Sequence, residues 1–462
     1  MTPEGTTAAE ASTAAIEDTA APSPGGGSTA DGKQLAAGGA VLGIAMIGAN
    51  GGNYLLNVFL GRWLTPPEFA DANLMVTIML LVTAIAISLQ LIAARFTGIH
   101  AIKGNDDQIG SLATWLERRA MIAGGSVGIL LIAGAGVLSE FFNSASPWPF
   151  VILGAGMPFY LIQAVGRGVL QGRLRFGALA ATFVVEMLTR VILGIALVAA
   201  GFGVVGATVA LTASFIATWL HVRILQNETV GGAPSAGAVR DLVIYAAPVG
   251  VLLLGQIIIN NGDVLIAKRF LDPETAGVYA AVALVGRAVF FLSWSVATTL
   301  FPAAAQRNEM GEDSNGLLLG GCAIVGLMGV GFVTGAGLLG GTVLGRVFGP
   351  EYADVSGPLA WYALATSLFA MANLIVSHHL STGRIREAIM LIAGGVLQTS
   401  LLLLGRGSID ELIRAQVVAM AILLAAVVAS HLLSGTHRAP VAAADQSAKP
   451  PTEVTAIKEL TS

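Results

Sequence analysis

Twelve apolar segments, each long enough to cross a membrane, set the limits on how this chain of 462 residues can fold. About 20 apolar residues in a helix span the hydrocarbon core of a bilayer. The predicted spans are 35–60, 69–95, 117–138, 148–170, 177–200, 203–225, 241–266, 275–303, 316–344, 356–380, 387–405 and 412–434. The alternation of apolar and polar residues that is typical of membrane β-barrels is absent. The sequence therefore predicts an all-α integral membrane protein with twelve transmembrane helices.

The composition supports a membrane protein and argues against several other classes. Charged residues make up 11% of the chain, compared with about 25% in an ordinary soluble domain. The net charge is −4 and no basic block is present, so we expect no nucleic-acid partner. Cys322 is the single cysteine, which excludes a disulfide within the chain. No nucleophile motif or zinc-ligand spacing is found, and we expect neither an enzyme nor a metal or cofactor site.

Polar segments divide the chain. Residues 1–34 are rich in Ala, Thr, Ser, Gly and Pro and lack the basic start and apolar core of a signal peptide, so they predict a disordered tail. Residues 435–462 predict a second tail. The polar link 226–240 separates an N-terminal half, 35–225, from a C-terminal half, 241–434, with six spans each.

The distribution of Lys and Arg between the loops predicts the orientation in the membrane. With the N-terminus in the cytoplasm, sixteen of these residues lie on the inner side and six on the outer side. Cytoplasmic loops carry the excess of Lys and Arg, so both termini are predicted to be cytoplasmic. Lys268 and Arg269, on the outer side, oppose this rule.

Two short motifs repeat at nearly the same spacing. RWLTP (62–66) recurs as RFLDP (269–273), and GRLR (172–175) recurs as GRIR (383–386). The offsets are 207 and 211 residues, and the two motifs fall on opposite sides of the membrane. Six spans per repeat return the chain to its starting side. The repeat therefore predicts two pseudo-symmetric six-helix bundles around a central cavity, related by an axis along the membrane normal.

Polar side chains follow one face of the first helix in each half. They are Asn50, Asn53 and Asn57 in the first span, and Gln256, Asn260 and Asp263 in the seventh. Asn53 and Asn260 differ by 207 residues, the repeat offset. The two faces either line a shared cavity or hold helices together by hydrogen bonds. The paired positions favour the cavity, with Asn53, Asn57, Gln256 and Asn260 as substrate contacts.

Arg287 lies far from either end of the eighth span. An arginine at the bilayer centre costs roughly 2.5–3.5 kcal/mol on insertion scales, so it requires a partner or a wet cavity. One interpretation is an anion-binding arginine, suited to phosphate because its planar fork binds oxygens in pairs. The other is a structural ion pair with Glu186 or Asp263. We favour anion binding, since ionisable residues within a membrane are functional by default.

Other intramembrane charges have two interpretations each. Glu186 and Arg190 are four residues apart on the fifth span, a spacing that lets them neutralise each other. The alternative is that Glu186 responds to protons or cations. Asp263, near the outer end of the seventh span, either binds a cation or reaches toward water. Arg167 stands in a polar row with Gln163 and Gln171 and either leads a charged head group inward or anchors the span at the interface.

Several longer stretches together resemble a known family. They are GRWLTPPEFADANLMV (61–76), GVLQGRLRFGALAAT (168–182), DVLIAKRFLDPETAGVYAAVALVGR (263–287), TLFPAAA (299–305), and FGPEYADVSGPLAW (348–361) leading to STGRIREA (381–388). In order and spacing, over roughly 35–434, they resemble the multidrug/oligosaccharidyl-lipid/polysaccharide (MOP) flippase superfamily, and within it the Wzx-type polysaccharide flippases.

This resemblance implies a transporter in the bacterial cytoplasmic membrane. It would move a polyprenyl-(pyro)phosphate-linked sugar chain from the inner to the outer leaflet by alternating access. Arg287 would be the central cavity arginine, Arg62 would guard the outer mouth, and Asp263, Glu186 and Arg190 are candidates for ion coupling. Expected partners are the lipid-linked glycan, membrane lipids and glycan polymerase or synthesis proteins. Two alternatives remain open, an ion-coupled multidrug exporter and a membrane scaffold that does not transport.

Overall fold

A computed structural model of the chain describes residues 29–226, 236–310, 315–353, 355–381 and 386–435. The regular structure in these ranges is helical. The helices are α1 (Thr29–Trp63), α2 (Pro66–Ile102), α3 (Asp106–Ala133), α4 (Ala135–Phe141), α5 (Trp148–Gly172), α6 (Phe176–Ala199), α7 (Gly203–Leu225), α8 (Ala236–Phe270), α9 (Pro273–Gly286), α10 (Ala288–Glu309), α11 (Asn315–Val347), α12 (Ser356–Ser381), α13 (Arg386–Leu404) and α14 (Ile409–Gly435). A single 3₁₀ turn, Pro350–Tyr352, precedes α12.

Each predicted span coincides with one helix or with a pair of consecutive helices. α3 and α4 form one pair, bent by 66°. α9 and α10 form the other, and hydrogen bonds from Arg287 N–H to the Ala283 carbonyl and from Phe291 N–H to the Arg287 carbonyl carry the helix through their junction. Within the described ranges, nine helical spans are long and apolar enough to cross a membrane, and α3 with α4 counts as a tenth. The predicted all-α membrane fold is confirmed.

Parts of the predicted organisation lie outside the described residues. These are 1–28, 227–235, 382–385 and 436–462, which include most of both predicted tails, most of the predicted linker and most of the GRIR motif. The division into two six-helix halves therefore remains a prediction.

Residue contacts divide the chain into two compact units. Unit 1 comprises Met1–Ile257, Lys268–Ala280 and Val347–Glu351, and unit 2 comprises Ile258–Ala267, Ala281–Arg346 and Tyr352–Ser462. Helix α8 therefore contributes residues to both units. Unit 1 also includes the turn and helix start that follow α8.

Helix α5 is the centre of unit 1. In its most apolar stretch 72% of the residues are buried, and α5 packs against α2, α3 and α7. Glycines allow this close packing, because a Cβ on Gly124 or Gly128 of α3, or on Gly168 of α5, would collide with the backbone of the neighbouring helix. Small residues at such contacts are what membrane helices use to approach closely.

Helix α12 is the centre of unit 2, as α5 is of unit 1. In its most apolar stretch 67% of the residues are buried, and it packs against α10 and α14. α5 is the fourth span of the first predicted half and α12 the fourth span of the second. The most buried helix of each unit thus has the same place in the predicted repeat.

The repeated motif Arg-aromatic-Leu-x-Pro forms a turn that ends one helix and starts the next. Leu64 and Leu271 are 5% and 6% exposed and anchor the two turns. Pro66 and Pro273 begin α2 and α9, the position where proline fits best because its missing N–H has no helical partner. The motif therefore repeats because both turns need a buried anchor and a helix start.

A carboxylate accepts a backbone N–H at each proline turn. Glu68 accepts hydrogen bonds from the backbone N–H of Thr65 at 3.0 Å and from its hydroxyl at 2.9 Å. At the second turn Asp272 itself accepts the Thr275 N–H at 3.0 Å. Hydrogen bonds from the side chain and backbone of Thr275 lower the pKa of the Asp272 carboxyl below its ordinary value. Both turns thus satisfy exposed polar groups at a helix start.

Candidate functional site

One buried carboxylate on α6 lies between two arginines. Arg190, one turn further along α6, donates from Nη2 to Glu186 Oε1 at 2.6 Å. Arg167, on α5, donates from Nη2 to Glu186 Oε2 at 2.7 Å. The three side chains are only 8–14% exposed. Two guanidinium groups therefore share a single negative charge, which leaves one surplus positive charge among these residues.

The Arg167 guanidinium is held on three sides. Its Nε donates to the Thr182 hydroxyl at 3.0 Å, and its Nη2 donates to the Thr182 carbonyl at 3.1 Å. The guanidinium carbon lies 4.1 Å from the centre of the Phe183 ring, close enough for a cation–π contact. Arg167 is thereby fixed beside Glu186.

Arg190 links α6 to two further helices. Its Nε donates to the Ser214 hydroxyl on α7 at 3.3 Å, and its Nη1 donates to Asn53 Oδ1 on α1 at 3.2 Å. We call Asn53, Arg167, Glu186, Arg190 and Ser214 the Glu186 cluster. It ties α1, α5, α6 and α7 together inside unit 1.

A second polar cluster lies in unit 2 around Asp263, which is fully buried. Arg287 donates from Nη2 to Asp263 Oδ1 at 2.8 Å, from Nη1 to Asn261 Oδ1 at 3.2 Å and from Nε to the Tyr362 hydroxyl at 2.9 Å. The Tyr362 hydroxyl in turn donates to Asp263 Oδ2 at 2.7 Å. We call these four residues the Asp263 cluster. Among the described contacts of this cluster one arginine faces one carboxylate, so the formal charges of the four residues balance.

The structure distinguishes between some of the sequence-based interpretations. Glu186 and Arg190 pair as their spacing predicts. Arg287 forms the structural ion pair that was one of its two interpretations, with Asp263 as the partner and not Glu186. Arg167 is 7% exposed, so the interpretation of this residue as an interfacial anchor is wrong. The parts that these residues play in transport remain predictions.

Other candidate residues are placed as follows. Arg62 is exposed at the end of α1. The Asn57 amide donates to the Asn53 carbonyl within α1 at 2.9 Å. Gln256 and Asn260 are half-buried on α8, and Asn53 and Asn260 belong to different units. The shared cavity between the two amide faces remains a prediction.

Sequence reasoning missed several members of the two clusters. Asn261, which the sequence analysis did not single out, makes the contact to arginine that Asn53 makes in unit 1. Tyr362 lies 75 residues from Arg287, and no local spacing links them. The sequence did offer one sign that Arg167 belongs to a cluster. It is an arginine within an apolar stretch, and such an arginine needs a partner.

Three solved membrane transport proteins have a similar fold. The fold is similar to that of a multidrug resistance MATE family transporter of the MOP superfamily in an inward-facing conformation, with a TM-score of 0.71 and 15% identity over 84% of this chain and 96% of that one. It is also similar to the lipid II flippase MurJ, with a TM-score of 0.67 and 12% identity over 85% and 87% of the two chains. A MOP superfamily transporter from Pyrococcus furiosus, described as having a binding pocket of reverse polarity, matches with a TM-score of 0.56 and 17% identity over 85% and 94%.

The chain therefore shares the fold of these MOP superfamily transporters. A family model described as polysaccharide biosynthesis protein matches residues 35–307, more than half of the chain. The chain belongs to this family, and the predicted resemblance to the MOP superfamily is confirmed. A sequence comparison with functionally characterised proteins finds no match.

Proposed function

We propose that this protein moves a polyprenyl-(pyro)phosphate-linked oligosaccharide from the inner to the outer leaflet of a bacterial cytoplasmic membrane by alternating access, with both termini in the cytoplasm. The observation that carries the proposal is the surplus positive charge of the Glu186 cluster, buried within a membrane protein of the polysaccharide biosynthesis family. An anionic head group is the cargo chemistry that such a charge favours.

The Glu186 cluster offers suitable chemistry for a phosphate. Guanidinium groups bind phosphate oxygens in pairs through a planar fork. Arg190 is 12% exposed and so is not sealed from its surroundings. Gln163, one turn before Arg167 on α5, is buried and its amide makes no hydrogen bond to any described residue. This amide is suited to forming hydrogen bonds with a water molecule or with a sugar hydroxyl during transport.

Arg287 and Arg62 are assigned weaker roles in the same path. The charge of Arg287 is already balanced by Asp263 at 2.8 Å, so a phosphate would have to displace that carboxylate. Arg62, exposed at the end of α1, is proposed to attract the head group at the outer mouth. Asn53, Asn57, Gln256 and Asn260 are proposed to contact the sugar.

A multidrug exporter of cationic compounds is the competing function. It needs a buried carboxylate that is available to a cation or a proton. Glu186 is paired with two arginines and Asp263 with one, so a cation would have to displace a guanidinium group. This arrangement favours the anionic cargo.

Depletion of the protein in its native host tests the function. We expect lipid extracts to contain accumulated polyprenyl-(pyro)phosphate oligosaccharide on the cytoplasmic leaflet. Unchanged lipids together with new sensitivity to cationic dyes would reject the flippase in favour of the exporter. Unchanged lipids without such sensitivity would favour a scaffold for glycan synthesis.

The site is tested by Arg190→Gln. This change removes the surplus charge but leaves Glu186 paired with Arg167, so we expect normal membrane insertion and strongly reduced glycan export. Arg173→Gln is the matched control, because it removes an arginine from an ion pair with Asp106 that is 24% and 67% exposed. Normal export by the Arg190→Gln protein would reject the Glu186 cluster as the head-group site.

A further inference from the structure

A buried lysine–aspartate pair lies near the turn between α8 and α9. The Lys268 Nζ is 2.9 Å from Asp71 Oδ1, and the two side chains are 2% and 7% exposed. The same Nζ donates to the Asn143 carbonyl at 3.2 Å. Lysine is almost never fully buried unless it is paired. The predicted topology puts this pair at the outer end of the helices, where the charge of Lys268 opposes the positive-inside rule.

The chain between α4 and α5 holds the same turn. The Arg269 guanidinium lies 4.8 Å from the centre of the Phe141 ring, and the Arg269 carbonyl accepts a hydrogen bond from Asn143 Nδ2 at 3.2 Å. The Ala145 N–H donates to Asp71 Oδ2 at 3.4 Å. Lys268 and Arg269 are the two outer cations that oppose the positive-inside rule. Both are therefore bound by residues of the predicted N-terminal half. We call Asp71, Phe141, Asn143, Lys268 and Arg269 the outer clasp.

Close backbone contact accompanies the clasp. A Cβ on Gly277, the fifth residue of α9, would overlap the carbonyl group of Pro66 at the start of α2. No other residue type fits at Gly277 without separating these two helix starts. The contact therefore joins the two proline turns directly within unit 1.

Helix α8 carries two ion pairs that point in different directions. Asp263 binds Arg287 and Tyr362 in unit 2, whereas Lys268 binds Asp71 in unit 1. Five residues at about 100° each place the two side chains roughly 140° apart around the helix. Breaking the Lys268 pair would thus free the outer end of α8 from α2 and leave its bonds to Arg287 and to Tyr362 of α12 intact.

We infer that the outer clasp is a reversible lock that holds the two proline turns together in this conformation and opens to release cargo on the outer side. The inference rests on the proposed transport function, because a carrier must open that side once per cycle. An ion pair suits a reversible lock. The attraction between buried charges is nearly offset by the loss of their hydration, so water entering the open state compensates for the broken contact.

Cysteine labelling in intact cells tests the lock without any knowledge of the cargo. In a Cys322→Ala background, the reporter Ala276→Cys replaces a side chain that is 3% exposed on α9. We expect Lys268→Met and Asp71→Asn to raise its labelling rate by a membrane-impermeant maleimide at least about tenfold, since breaking a buried pair is strongly unfavourable to the closed form. The double variant Asp71→Asn with Lys268→Met leaves no unpaired buried charge and should label more slowly than either single variant. Arg173→Gln, at an exposed ion pair, is the control and should change nothing.

A second reporter separates opening from unfolding. Ala363→Cys replaces a fully buried residue of α12 in unit 2 and should stay unlabelled in every variant. Unchanged labelling of Ala276→Cys in both single variants would overturn the lock, and so would equal increases at both reporters, which would indicate loss of the fold. A positive result would stand even if lipid analysis rejected the glycan as cargo.

Discussion

The Glu186 and Asp263 clusters follow one plan but differ in charge. In each, the Nη1 of an arginine donates to an asparagine Oδ1 at 3.2 Å, from Arg190 to Asn53 and from Arg287 to Asn261. These asparagines lie on α1 and α8, the first spans of the two predicted halves. In each, the arginine Nη2 binds a buried carboxylate. The difference is that Glu186 is shared with a second arginine, whereas Asp263 is bound by a tyrosine.

This difference gives the two clusters different charge balances. A balanced buried ion pair is at best weakly stabilising, and an unbalanced charge is costly. Stability alone therefore gives no reason for the second arginine, Arg167, in unit 1. The tyrosine of unit 2 satisfies the spare carboxylate oxygen without adding charge. The two clusters thus share an arginine–asparagine–carboxylate plan, and the third partner sets the charge of each.

Removing the Glu186 carboxylate, which two arginines share, should lower the stability of the protein most. In Glu186→Gln the buried Arg167 and the largely buried Arg190 lose their shared carboxylate, so we expect a loss of stability at or above about 3–5 kcal/mol, the cost of breaking one buried pair. Asp263→Asn strands one arginine and should cost less. Thermal unfolding of purified protein in lipid nanodiscs measures both, with Glu117→Gln as the control because its partner Arg223 is half exposed. A larger loss in Asp263→Asn would contradict the comparison.

Double variants should show that the charges balance in the Asp263 cluster but not in the Glu186 cluster. Asp263→Asn with Arg287→Gln removes both charges, so its loss of stability should be smaller than the sum of the single losses by about 0.5–3 kcal/mol. Glu186→Gln with Arg190→Gln leaves Arg167 without a carboxylate and should recover less. The same unfolding measurement gives both coupling energies. Equal recovery in the two clusters would mean that Arg167 contributes no surplus charge.

Loss of the Tyr362 hydroxyl from the Asp263 cluster should lower stability more than loss of the Tyr160 hydroxyl in unit 1. Tyr362→Phe removes a hydroxyl that both donates and accepts, and we expect a cost of about 1–3 kcal/mol. Tyr160→Phe is the control, since its hydroxyl shares a single hydrogen bond of 2.7 Å with Thr83. Its loss should be near 1 kcal/mol. Equal midpoints for the two variants would argue against a charge-satisfying role for Tyr362.

The asparagine contacts should have the smallest and most similar effects. Asn53→Ala and Asn261→Ala each remove one acceptor at 3.2 Å from an arginine Nη1. We expect losses of about 0.5–1.5 kcal/mol in both. Losses that differ by more than this range would break the equivalence of the two helices and favour Asn260 as the repeat partner of Asn53.

The sequence alone determined the features that depend on local spacing. Span length and apolar composition predicted the helices, and the recurrence of RWLTP (62–66) as RFLDP (269–273) marked two equivalent connections between them. The Glu186–Arg190 pair followed from a spacing of four residues on one helix. Each of these depends on interactions within a few turns of the chain, where helix geometry leaves one arrangement.

The tertiary structure decided which partner each buried charge takes. Arg287 binds Asp263 and not Glu186, Arg167 joins Glu186 from another helix, and Lys268 binds Asp71 almost 200 positions away. These pairs depend on how neighbouring helices are rotated and how closely they approach. Contacts such as Gly168 of α5 against α2 set that rotation through backbone shape. A one-residue difference, Asn261 in place of Asn260, changes the direction of a side chain by about 100° around a helix, and only the packed structure shows which direction is used.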